Sequence, residues 1–472
     1  MLGFVATPAW LGLSAQSGGA SAQGLLKPRG PRHRGRIDIA ETEGELRVLI
    51  VHYRYFVSGG PERYLFNVKR LLEERGHEVV IFSVAYRQNQ QSEWAPYFIA
   101  PIAGDDEVYF DQHTWTPRTA LRALKALFYS PEAHHSLLRL VRDSRPDIAL
   151  VLQYHRKMSP SVLTALRRGG VPIVARLSDF GMVCPAATLT RCSKPCFECV
   201  GKLPLASVRH GCVKGSRFVS SVELLATVYH RGRRFFDLVD AFVAPTTFLQ
   251  DMMVRGGWPR ERIRVIPTPV ASSPIDACVA RDAFVYLGRL SPEKGVSTLI
   301  DAYALLVREW GDQAPALALL GAAERSYGVQ LGQRVVRLGL EDRVIFAGMQ
   351  DQDGVDYWLS CALASIVPSI CIDNLPNSML ESLAAGVPVI VSDHPTFREA
   401  LAGYDAGALV PPGDAHALAR AMGEILSDPE RATAAGNAAR RLAEERFSEE
   451  VHVTALLHLF EELESARPHD LS

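Results

Sequence analysis

From Arg47 onward the chain alternates between two hydrophobic patterns. RVLIVHY is a continuous apolar run of the kind that fills a central parallel strand. YFVSGGPERYLFNVKRLLEERGHEV then reads as a glycine loop, a helix and a turn, and VVIFSV as the next strand. These three segments make one βαβ unit and predict an α/β fold. IALVLQY and VPIVARL follow as strands, separated by the helical SPSVLTALRRGG, and IRVIPTP closes the series. A second series opens near Ala283 with FVYLGRL, whose helix is expected to begin near Val296 or Ser297, and continues with LALLG and RVIFAG. FSEEVHVTALLHLFEEL is a final amphipathic helix, apolar at Val451, Leu456, Leu457 and Phe460.

One stretch of the second series concentrates candidate chemistry. Val367 to Glu399 reads strand, loop, helix, strand, with Asn377 or Ser378 placed to cap the helix and Gly386 and Pro388 placed to stop it. A helix start at the carboxyl end of a strand offers backbone N–H groups and a positive dipole end, which suit a phosphate or diphosphate. The loop carries Asp373 and the helix carries Glu381, eight positions on. Ionised carboxylates accept hydrogen bonds from sugar and ribose diols. The alternative is a solvated loop Asp and an unrelated helix Glu. In the glycine loop, Gly59 and Gly60 let phosphates approach the backbone, or serve only a tight turn. Arg289 and Lys294 flank a strand-to-helix turn, where two cations would meet the charge that builds on a diphosphate leaving group.

Polar residues also mark the strand ends of the first series, where ligands sit in open α/β sheets. They are Tyr154 and His155 after one strand and Ser178 and Asp179 after the next. His155 is either a cleft residue or a helix cap.

At 472 residues, 47% hydrophobic and 22% charged, the chain is long enough for two domains with separate cores. Lys and Arg total 51 against 52 for Asp and Glu, a balance that argues against nucleic acid as the main partner. No apolar run approaches the roughly 20 residues needed to span a bilayer. Residues 1–45 are rich in Gly, Ala, Ser and Pro, with a basic run from Lys27 to Arg36, and read as a disordered basic tail or as sequence ahead of the true start. Without clear export features, the expected location is the cytoplasm, either free or associated with the membrane at its inner face.

Five of the eight cysteines, Cys184, Cys192, Cys196, Cys199 and Cys212, fall in an aperiodic insertion at 184–212. Their spacing fits a structural zinc held by Cys192, Cys196, Cys199 and either Cys184 or Cys212, with Cys212 the fourth ligand in the set carried forward. Free cysteines are the competing reading; disulfides do not suit reduced cytosol. Arg231, Arg233 and Arg234 beside Phe235 and Phe236 suggest an amphipathic helix that touches anionic headgroups near a lipid-linked acceptor, or a solvated face.

The Asp373 to Glu381 segment resembles the acidic-x7-acidic motif of the family-4 retaining glycosyltransferases, and GRLSPEKG resembles the GRLxxEKG turn of the same family. Many members carry Glu at the first acidic position, so Asp373 shortens the reach by one methylene; Ser178 stands where many have His. The resemblance covers about Arg47 to Glu464 and implies two facing Rossmann-like domains, the GT-B fold, with a cleft between. An acceptor domain would span 46–272, a donor domain 283–445, and residues 446–464 a helix returning to the first domain. It further implies retaining transfer from a nucleotide-diphosphate sugar to a glycan or lipid-linked acceptor, with no cofactor or metal needed for catalysis. Asp373 would contact the sugar and Glu381 the ribose. Arg289, Lys294, Asn377 and Ser378 would hold the diphosphate, with Gly59 and Gly60 across the cleft. The backbone around Phe346 would meet the base, and His155 and Asp179 would face the acceptor. Two rival readings are a sugar-nucleotide epimerase of the same architecture and a non-catalytic binding protein with a zinc-stabilised loop.

Overall fold

A computed structural model describes residues 44–104, 116–192, 194–272 and 281–466. The tail expected over residues 1–45 lies almost wholly outside them. Strands β1 (Arg47–His52), β2 (Glu78–Phe82), β3 (Ile148–Gln153) and β4 (Ile173–Arg176) come first, then a two-stranded hairpin, β5 (Thr190–Arg191) with β6 (Lys194–Pro195). β7 (Ala241–Ala244) and β8 (Ile263–Val265) complete a six-stranded parallel sheet in the order β2-β1-β3-β4-β7-β8. The second sheet contains β9 (Ala283–Leu287), β10 (Ala316–Leu320), β11 (Val344–Gly348), β12 (Ala362–Val367), β13 (Val389–Ser392) and β14 (Gly407–Val410). It is also parallel and runs β11-β10-β9-β12-β13-β14.

Both sheets are covered on their two faces, which is why their strands read as unbroken apolar runs. In β1, Val48 and Ile50 pack on one side with Tyr64, Leu65 and Val68 of the Gly60–Glu74 helix. Leu49 and Val51 face the other side, against Leu137 and Leu140 of the Pro131–Ser144 helix. Each sheet also has a switch point, where the chain leaves a strand in one direction and later returns on its other side. It falls between β1 and β3 in the first sheet and between β9 and β12 in the second. Ligands of open α/β sheets bind beyond the strand ends at such points.

The last helix, Glu449–Ser465, packs on the first sheet rather than the second. Val453, Leu456, Leu457 and Phe460 join the cluster around Ile50, and Tyr64 Oη lies 3.1 Å from His452 Nε2. Val451, expected in the apolar stripe, is 41% exposed. The inward stripe starts two residues later because Val453, Leu456, Leu457 and Phe460 follow the i, i+3, i+4, i+7 spacing of one helical face.

Candidate active site

The GRLSPEKG turn leaves β9 and is locked onto the end of β12 by backbone. Gly295 has φ of +71°, and a Cβ there would stand 2.0 Å from the Pro368 carbonyl oxygen, so only glycine permits the approach. The Glu293 carbonyl accepts the N–H groups of Ile370 (2.9 Å) and Cys371 (3.2 Å). Two motifs distant in sequence are thereby knitted together beyond the switch point of the second sheet.

Side chains complete the junction. Lys294 Nζ donates to Asp373 Oδ1, with both side chains mostly buried. Ser369 Oγ donates to Asp373 Oδ2, and Thr396 Oγ1 donates to the Asp373 carbonyl at 2.7 Å. Behind Ser369, buried His394 places Nε2 2.8 Å from the Ser369 carbonyl oxygen, and burial holds its pKa below the usual histidine value. Sequence reasoning passed over Ser369, Thr396 and His394. The SDHPT segment at the end of β13 was the available signal, being polar residues at the carboxyl end of a parallel strand. Arg289 behaves differently from Lys294: it is 75% exposed, and its guanidinium stands 3.5 Å from Glu293.

The helix after this loop spans Asn377–Ala384, with Pro376 at the N-cap position and no side-chain cap. The expected cap by Asn377 or Ser378 is therefore corrected. Both are inside the helix, because Leu375 takes a left-handed turn (φ 58°) and Pro376 then enters extended, starting the helix immediately after it. No side-chain cap takes up its first-turn N–H groups, and the helix begins four residues after Asp373.

Opposite stands the start of the Gly60–Glu74 helix. Gly59 is extended at φ −178°, a conformation open to any residue, and a Cβ on Gly60 would meet Asn377 Nδ2 at an ordinary 3.6 Å. The glycines thus leave space rather than relieve backbone strain. The three residues after Pro61 diverge. Glu62 is buried against Arg54 (3.0 Å), Tyr64 lies beneath the Arg176 guanidinium (3.6 Å to the ring centre), and Arg63 reaches across to Glu381 Oε1 at 2.8 Å. Burial raises the Glu381 pKa above the usual carboxylate value, against the opposing pull of Arg63.

On the first sheet, His155 stacks on Tyr154 with ring centres 4.2 Å apart. Its ring is reached by solvent yet crowded by protein, as in a recess, and its pKa is pushed down to about 4 by that desolvation first, then by the charges of His230 and Arg156. The helix-cap reading of His155 does not hold: the next helix is Ser161–Arg168, with Pro160 at its N-cap. Asp179 Oδ1 accepts the Gly181 N–H at 2.7 Å, and desolvation raises its pKa against that bond and Arg156. The end of β4 approaches the Asp373 loop, since Asn374 Nδ2 lies 3.5 Å from the Leu177 carbonyl oxygen and Thr246 Oγ1 donates to Asn374 Oδ1 at 3.3 Å. Phe346 sits half-buried on edge strand β11 and packs on the second sheet's core.

The cysteine insertion differs from the expected ligand set. Cys184, Cys196, Cys199 and Cys212 line one cavity of about 20 Å³, while Cys192 is exposed at the hairpin turn after β5, with φ of 47°. The antiparallel β5–β6 pairing causes this: it folds Cys196 back to donate its N–H to the Leu189 carbonyl at 2.7 Å and turns Cys192 outward. Burial, followed by the charges of Cys184, Cys212 and Cys196, pushes the Cys199 thiol up to about 11.

The basic and aromatic run at 231–236 is also reassigned. The Arg217–Gly232 helix ends within it, after Arg231, and Phe235 is buried against Tyr129, with ring centres 6.0 Å apart. Exposed apolar groups lie instead on that helix and on the Pro117–Phe128 helix packed against it. Phe218 is 79% exposed, Leu121 and Leu225 are also exposed, and Arg118, Arg122, Lys125 and Arg217 accompany them. No helix among the described residues is long and apolar enough to cross a membrane.

Two parallel-sheet domains whose strand ends face one cleft define a GT-B architecture. Residues 59–269 match the family described as glycosyl transferase 4-like domain, and residues 280–442 match glycosyl transferases group 1. The chain belongs to this two-domain glycosyltransferase family. It is 32% identical over 38% of its length to a phosphatidyl-myo-inositol mannosyltransferase of Mycobacterium leprae, covering 46% of that protein. The protein of the same name from Mycobacterium tuberculosis is 24% identical over 88% of this chain and 96% of its own. Across the first curated relatives it matches, the chain spans only about half their length. Among solved structures, Anabaena HepE in complex with UDP-glucose superposes with a TM-score of 0.61 at 17% identity, over 89% of this chain and 100% of that one.

Proposed function

We propose that the protein transfers a sugar, with retention of configuration, from a nucleotide-diphosphate sugar to a hydroxyl of a glycan or lipid-linked acceptor. The observation that carries this reading is the Lys294–Asp373 pair, held by the backbone junction at Gly295 and Pro368 beside the start of the Asn377–Ala384 helix. That arrangement combines a cation, a helix N-terminus and a carboxylate, which are the parts needed to hold a sugar diphosphate and stabilise its departure. In the proposed reaction Lys294, Arg289 and the helix start bind the diphosphate, Glu381 the ribose, and Asp373 the hydroxyls of the transferred sugar. Gly59 and Gly60 leave room for the phosphates, and the backbone at Phe346 meets the base. The bond from the anomeric carbon to the phosphate oxygen breaks, and the acceptor oxygen bonds to that carbon. The acceptor proton passes to the departing diphosphate, so no metal or cofactor is assigned to the chemistry.

The acceptor enters on the first sheet's side, past His155 and Asp179. A lipid-linked acceptor fits the exposed Phe218, Leu121 and Leu225 with their flanking Arg and Lys residues, which form a peripheral contact with an anionic membrane, at the cytoplasmic inner face.

A thermal-shift screen against uridine, guanosine and adenosine diphosphate sugars tests the donor assignment, followed by proton NMR of the product's anomeric centre. Stabilisation by one donor class and a product with the donor's anomeric configuration are expected. Products formed from donor alone would instead support an epimerase, and no stabilisation by any sugar nucleotide would overturn the reading.

A further inference from the structure

The cysteine insertion does more than occupy surface. Leu189 is buried in the core of the first domain together with Ile372 of the Asp373 loop, and the Ile372 N–H donates to Thr190 Oγ1 at 3.3 Å. The insertion is therefore packed directly against the loop that carries Asp373. Among the described residues its regular structure amounts to the β5–β6 hairpin and the Leu205–His210 helix. Ala187 and Leu189 also hold left-handed backbone, which non-glycine residues adopt at a cost.

We propose that Cys184, Cys196, Cys199 and Cys212 form a structural four-thiolate zinc site that holds the 184–212 insertion against the Asp373 loop. The four sulfurs come from separated points, on the turn after Phe180, at the end of β6, on the turn before the short helix, and just beyond that helix. A single ion bound there would cross-link the whole insertion. All four cysteines line the same small, largely enclosed cavity. Among the described residues no group of three or more Cys, His, Asp or Glu side chains already stands in metal-holding geometry. Closure of the site requires the cysteine side chains to rotate inward, with the loss of four thiol protons as the dication binds. Arg191 also lines the cavity and is paired with Glu198 at 2.8 Å.

The test is elemental analysis of full-length chain purified without chelator, together with the absorption spectrum after cobalt(II) exchange. Roughly one zinc per chain and intense tetrahedral thiolate bands are expected for the wild type and for Cys192→Ser. Cys184→Ser should lose both. Metal-free wild type with every thiol titrating would overturn the site. So would a metal retained in Cys184→Ser but lost in Cys192→Ser. Should Cys184→Ser fail to fold, the wild-type spectrum and the Cys192→Ser metal content still decide. The bracing role rests on the transferase reading: chelation should lower kcat while leaving donor affinity nearly intact. Since metal content is read without turnover, failure of the site and failure of that reading are separable.

Discussion

Arg63 and Glu381 meet at 2.8 Å across the cleft, one on the first helix of the first domain and the other on the helix that follows Asp373. Burial raises the Glu381 pKa, and Arg63 is the largest influence holding it down. In the proposed role of Glu381 the ionised form accepts the ribose hydroxyls, so donor binding should strengthen as pH rises through that raised value. Arg63→Ala removes the opposing charge and should move the acidic limb of the kcat/KM profile for donor to higher pH. A profile unchanged from wild type would show that Glu381 is not the titrating group.

Lys294 and Arg289 should part company. Lys294→Ala removes a charge-stabilising donor and should cut turnover by on the order of a hundredfold. It also leaves the mostly buried Asp373 without its ion-pair partner, so the melting temperature should fall. Among the described residues Arg289 pairs only with exposed Glu293 at 3.5 Å, a contact worth little, so Arg289→Ala should lose turnover at nearly constant melting temperature. Steady-state kinetics beside thermal melts separate the two, and wild-type turnover in Lys294→Ala would count decisively against the diphosphate grip.

The carboxylates should also fail differently. Asp373→Asn is expected to lower kcat while nucleotide diphosphate affinity stays nearly intact, because in the proposed reaction positive charge grows on the sugar beside Asp373 only as the bond to the diphosphate breaks. Glu381→Gln should mainly raise the donor KM, since the ribose is bound in ground and transition states alike. Asp373→Glu should keep substantial activity if the Lys294 and Ser369 contacts to the carboxylate absorb one methylene. Calorimetric nucleotide affinity measured with the rates distinguishes these outcomes.

Gly295→Ala tests the backbone junction without touching a charged group. A Cβ 2.0 Å from the Pro368 oxygen cannot be accommodated in place, and the residue sits at positive φ. A stability loss of about 2–4 kcal/mol is expected from the clash and the left-handed strain. Donor affinity should fall with it, because Lys294 and the Asp373 loop move apart. Chemical denaturation and donor titration check both, and a variant of wild-type stability would mean that the junction yields more readily than its geometry suggests.

The fold was legible in the chain because its strands are buried on both faces. Runs such as VLIV need no partner to be recognised, and the turn glycines and the two acidic positions sit at fixed distances from them. Local spacing made Asp373, Glu381 and Lys294 candidates, and the family resemblance, not the spacing, gave them their proposed roles. Spacing failed wherever the outcome depended on where a loop goes. Cysteine spacing could not say which four thiols share a cavity, because the β5–β6 reversal turns Cys192 outward and brings Cys184 into its place. Phe235 read as part of a lipid-facing surface until the core claimed it, and Phe218 gave no sign of its exposure. Arg63 and Glu381 are separated by 318 positions, and Ser369 and His394 meet only because β12 and β13 lie side by side. Local pattern determined the elements and the candidate charges. Only packing of the two sheets against one cleft decided which charges meet, since burial and pairing belong to the assembled chain and not to any segment of it.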